Sequence, residues 1–73
     1  MNEQALKELL LRENPAFRKL SEEHRACEEA LDKLRGRTGL SPVREQEEKA
    51  LKKRKLALKD RMYIMMEDYR RSR

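Results

Sequence analysis

Two lines of apolar side chains constrain what this chain can fold into. The first is Phe17, Leu20, Cys27, Leu31 and Leu34, with His24 filling the gap in the series. The second is Leu51, Lys55, Leu58, Met62, Met65 and Tyr69, with Lys55 as its polar member. Alternating steps of three and four keep one face of an α-helix against a partner helix along its whole length. Strands would need a period of two. Two glycines and two prolines are also too few for the tight turns of an all-β fold.

The breaks between the periodic stretches carry their own signals. Asn14-Pro15 and Ser41-Pro42 each read as a helix N-cap followed by proline at the first helical position, where no backbone donor is needed. Asn2 is a third capping residue. A short helix is therefore predicted over about 2–13, a second over about 15–35 and a third over about 42–70. The connection, about 36–41, opens on Gly36, where a left-handed C-cap is expected. A link this short makes its two helices antiparallel neighbours. The predicted fold is all-α: one domain over 1–73, an antiparallel, coiled-coil-like two-helix hairpin preceded by a short N-terminal helix. Reflection about Gly39 places Cys27 opposite Leu51, His24 opposite Lys55, Leu20 opposite Leu58 and Phe17 opposite Met62. The third helix outruns the second, so Met65 to Tyr69 should lie beside the first, with Leu6 and Leu10 in phase with the seam.

Charged residues make up 45% of the 73 positions and hydrophobic ones 37%, which leaves little apolar material for a private core. Small helical scaffolds without a disulfide or metal usually gain stability by associating. A homo-oligomer is expected, in a four-helix arrangement. Beside the seam of the third helix runs a second stripe, Leu56, Tyr63 and Met66, and Ile64 points away from both. The band is widest toward the C-terminal end, so the expected protein interface is Leu58, Met62, Met65, Met66 and Tyr69. Methionine-rich faces adapt to helical partners, and a protein partner is a second expectation.

Several stretches, taken together, are similar to the YdcH-like family of small bacterial proteins of unknown function. They are Asn14-Pro15-Ala16-Phe17-Arg18-Lys19-Leu20, then Glu23-His24 with Cys27-Glu28 and Leu31, and above all Leu51-Lys52-Lys53 through Leu56-Ala57-Leu58-Lys59-Asp60-Arg61-Met62-Tyr63-Ile64-Met65-Met66. The resemblance covers roughly residues 14 to 67. It departs at Cys27, where the family tends to have Leu, and at Arg61, where an acidic residue is usual. It implies a cytoplasmic helical hairpin and supplies no catalytic residue.

Charge is divided unevenly. Residues 1–35 hold 7 basic and 8 acidic side chains, and residues 36–73 hold 12 and 6. Lys49, Lys52, Lys53 and Lys59 are therefore candidate nucleic-acid contacts, since phosphate neutralisation needs such a cluster. A solvated helix face explains the same residues, and nucleic acid is the less favoured partner. His24 and Cys27 lie three apart on one helix side, yet zinc needs four ligands, so only a dimer would assemble a set; no metal or other cofactor is expected. A Cys nucleophile requires a His base in a concave site, so no catalytic residue is assigned and no enzyme is expected. No apolar run approaches about 18 residues, which excludes a spanning helix. The first residues lack a signal-peptide pattern, and one cysteine suits a reducing compartment, so the expected location is cytoplasmic.

Overall fold

The computed structural model describes residues 2–36 and 41–72. Among them every element is helical: α1 (Glu3–Glu13), α2 (Pro15–Arg35) and α3 (Pro42–Arg71). The expected fold point at Gly39 lies outside the described residues, with the rest of 37–40. α3 has 30 residues, about 45 Å of helix, and sets the longest dimension of a 49 × 20 × 16 Å molecule.

Each helix start is held by a short polar side chain. Asn2 Oδ1 accepts from the Ala5 N–H at 2.7 Å, and Ser41 Oγ accepts from the Arg44 N–H at 3.3 Å. Asn14 serves two helices at once. Its backbone N–H donates to the Leu10 carbonyl at 2.8 Å, while its Oδ1 accepts from the Phe17 N–H at 3.1 Å. One residue therefore ends α1 and begins α2, and Pro15 at the first position of α2 leaves no orphan donor. Arg18 closes the junction, donating to the carbonyls of Leu11 and Arg12, each at 2.9 Å. Its cation also sits at the negative end of the α1 dipole.

This junction turns α1 back onto the other two helices. Leu6 and Leu10, one turn apart, bury themselves with Phe17, Met62 and Met66 in a single cluster. Phe17 and Leu6 are the most completely covered large side chains, at 0% and 1% exposure. Leu20, Met65 and Tyr69 pack around this cluster. Cys27, Leu31 and Leu58 are buried elsewhere in α2 and α3, which pack together more extensively than either does with α1.

Phe17 shares a cluster with Met62, His24 shares a cleft with Lys59, and Leu20 shares a groove with Arg61, Ile64 and Met65. One expectation is corrected: Gly36 is not left-handed. Its φ is −73°, and its N–H donates to the Asp32 carbonyl at 3.0 Å. A Cβ at this position would lie 3.5 Å from that oxygen, an ordinary contact.

Candidate functional site

A helix cluster of this kind offers chemistry only on its surface, and the first question is which apolar side chains it fails to cover. Leu58, Met62 and Met66, expected at an interface, are buried inside the chain itself. Leu6 and Leu10 of α1 share one buried cluster with the two methionines. Tyr69 is half-buried beside Leu10 and Asn14. Of the five expected interface residues, Met65 lines an open groove between α2 and α3. Among the described residues, the large apolar side chains left exposed are Val43, Leu56, Tyr63 and Ile64.

These exposed residues divide between two flanks. Tyr63 and Ile64 are neighbours, and one residue turns an α-helix by about 100°, so they open on different faces of α3 and line different grooves. On the Ile64 side is a groove of about 480 Å³. Ala16, Lys19, Leu20 and Glu23 of α2 form one wall, and Arg61, Ile64 and Met65 of α3 the other. Ile64 stands 60% exposed at its edge. The groove is apolar along its length and bordered by both signs of charge.

The Tyr63 side carries α1. Beside its first turn, Glu3 and Lys7 of α1 share a cleft with His24, Lys59 and Tyr63. Farther along lies an open groove of about 330 Å³, lined by Leu31, Arg35, Lys52, Lys55, Leu56 and Lys59. Thus two of the four lysines singled out from the sequence, Lys52 and Lys59, meet in one groove, joined by Lys55 and Arg35. Lys49 and Lys53 are exposed but do not line it.

Glu48 organises one end of this basic groove. Lys52 Nζ donates to Glu48 Oε1 at 3.2 Å, and Arg35 Nε lies 3.6 Å from the same oxygen. The Lys52 hydrogen bond, then the Lys52 charge, hold the Glu48 carboxyl below its usual range, with Arg35 adding to the effect and partial desolvation opposing it. A carboxyl that is harder to protonate when folded stabilises the fold above its ordinary value, 4.5. That contribution is lost as pH falls through the lowered folded value. Glu48→Gln should therefore melt below wild type at neutral pH, with the difference shrinking as the buffer is taken into the acid range. Thermal melts of both proteins across that range test this; a difference independent of pH would show that Glu48 acts through packing.

His24 and Cys27 do not form an open site. Cys27 is buried, and His24 Nδ1 lies 3.0 Å from Glu28 Oε1 while its Nε2 is covered without a hydrogen-bond partner. No group of three metal-ligating side chains occurs among the described residues. Nor is any described helix long and apolar enough to cross a membrane.

The fold and surfaces define a small three-helix protein with a covered flank and an open one. The chain belongs to the DUF465 family, proteins of unknown function, whose model matches residues 17–66. This is the YdcH-like family that the sequence resembles. The match runs from Phe17 in α2 to Met66 in α3 and leaves α1 outside it. No curated protein and no solved structure matches the chain.

Sequence reasoning missed Leu20, Ala16 and Ile64 as surface residues acting together. The available signal was Ile64 itself, an apolar residue belonging to neither stripe.

Proposed function

We propose that this chain is a non-enzymatic interaction module of the cytoplasm: an antiparallel helical hairpin, covered by α1 on one flank, that self-associates through the other. The observation that carries this reading is the groove in which Leu20 and Met65 lie beside an exposed Ile64, between Lys19, Glu23 and Arg61. A two-fold axis brings the same patch onto itself. Ile64 of each copy then fills the groove of the other, and the cations Lys19 and Arg61 face Glu23 across the axis. Burying an aliphatic side chain of this size contributes about 1.5–3 kcal/mol, and mixed charge at the rim adds register more than affinity.

The alternative, nucleic-acid binding through α3, has weaker support. Lys49 and Lys53 do not join Lys52 and Lys59, and Tyr63 is the one exposed ring on that flank. A single ring offers little stacking area.

Sedimentation velocity over a concentration series tests self-association. Wild type should shift toward a dimer as concentration rises. Ile64→Asp should remain monomeric, with dimerisation weakened tenfold or more, while Tyr63→Asp on the opposite flank should behave as wild type. A wild-type chain that sediments as a monomer throughout, or a Tyr63→Asp variant as impaired as Ile64→Asp, would remove this interface.

A further inference from the structure

The groove between α2 and α3 on the Tyr63 side already holds one helix along part of its length. α1 sits there with Leu6 and Leu10, spaced four apart, inserted over Phe17, Met62 and Met66. Beyond the first turn of α1 the same side continues uncovered. Lys59 marks the continuity, since it borders both the cleft beside α1 and the open groove. Leu31, 3% exposed, forms the floor of this open part, and Leu56, 62% exposed, stands at its wall.

Its charge is one-sided. Arg35, Lys52, Lys55 and Lys59 line it, and Glu48, which takes both Arg35 and Lys52, is the carboxylate paired there. Lys55 and Lys59 have no ion-pair partner among the described residues. Lysine stems are themselves apolar, so Lys55 and Lys59 extend the leucine floor while holding their charges at the rim.

We propose that this open groove docks an acidic amphipathic helix of a partner protein, laid between α2 and α3 in line with α1. The partner is recognised by leucine-like side chains at i, i+3 or i+4 and i+7, flanked by Asp or Glu that meet Lys55 and Lys59. A second copy of this chain fits poorly. α1 carries three Glu against Lys7 and Arg12, α2 is balanced at five charges of each sign, and α3 is basic. Lys55 and Lys59 call for a strongly acidic helix, and even α1 exceeds neutrality by only one carboxylate. A nucleic acid makes no use of a leucine floor, and no aromatic ring lines this groove. The inference rests on reading the chain as an interaction module, but not on self-association through the Ile64 flank.

The test uses the full chain and three anionic probes of similar length. These are a synthetic helical peptide of about 20 residues with Leu at groove spacing and Glu elsewhere, a leucine-free polyglutamate, and a single-stranded RNA. At 0.15 M salt the amphipathic peptide should bind saturably and shift the backbone resonances of Leu31, Lys55 and Leu56. The Lys55→Glu, Lys59→Glu double variant should weaken it tenfold or more. Leu56→Ala, which leaves the charge unchanged and keeps a strong helix former, should weaken it several-fold. Ile64→Asp should bind it as wild type does, so that failure of the dimer and failure of this site are told apart. Equal affinity for polyglutamate would reduce the site to bulk charge. Tighter binding of RNA, lost in the same lysine variant, would assign the groove to nucleic acid. Shifts confined to Leu20 and Ile64 would place the peptide on the other flank. Each of these three results overturns the proposal.

Discussion

Phe17→Ala should destroy the cooperative fold. Phe17 is fully buried at the meeting point of all three helices, in contact range of Leu6 and Leu10 on one side and Met62 and Met66 on the other. Truncating a buried Phe to Ala costs about 3–5 kcal/mol, the higher values where the site cannot collapse into the void. Here collapse is hindered on the backbone side. The Phe17 N–H is tied to Asn14 Oδ1, and Asn14 in turn is tied to Leu10. A single core below about 70–80 residues rarely supplies more than 3–5 kcal/mol in total, so the loss is comparable to the whole stability. The far-UV helical signal should fall by more than half at 25 °C and the thermal transition should lose its cooperativity. Val43→Ala, at a position exposed in the first turn of α3, should stay within about 0.5 kcal/mol of wild type. All variants are compared at one protein concentration, because association adds concentration-dependent stability. A Phe17→Ala protein that melts like the Val43→Ala control would mean that the three helices do not share this core.

The helices and their starts are legible in the sequence because their causes are local. An Asn or Ser followed by Pro supplies a side-chain acceptor and removes a backbone donor within two residues, and no distant contact is needed to decide it. Likewise the faces: Phe17, Cys27 and Leu31 in α2, and Leu58 and Met62 in α3, turn inward as their spacing requires. The register is not legible in this way. Sliding α3 by a turn returns the same face to α2, so the apolar spacing fits more than one register and packing of particular shapes selects between them. Which apolar side chains stay exposed is illegible for a related reason. Ranking residues by apolar character selects Met62 and Met66, yet those are the side chains that α1 has most to gain by covering. What remains open is set by where α1 stops, and that depends on Leu6 and Leu10 outcompeting Leu9 and Leu11 for the inward face. All four leucines lie within six positions, and only Leu6 and Leu10 are fully buried.

The double substitution Leu6→Ala, Leu10→Ala should act differently from Phe17→Ala, although it truncates two well-buried side chains of the same cluster. Each truncation in a rigid core costs about 2–5 kcal/mol, but α1 has another way to respond. It is joined to the rest through the single residue Asn14, and its 11 residues are too few to form a stable helix alone in water. Once its leucines are gone it should detach and unfold, which caps the loss at the free energy that held it in place. α1 contributes 11 helical residues against 21 in α2 and 30 in α3. The helical signal should therefore drop by about one-sixth, with a cooperative transition remaining for α2 and α3. Amide exchange should accelerate across Glu3–Glu13 and be largely retained around Cys27 and Leu58. Phe17, Met62 and Met66 would be uncovered on that flank, so the variant should bind a hydrophobic dye that wild type ignores. The family match, which begins at Phe17, agrees with α2 and α3 being the unit that persists. Disappearance of the entire transition in the double variant would show instead that α1 is inseparable from the core, folding and melting with the other two helices as one body.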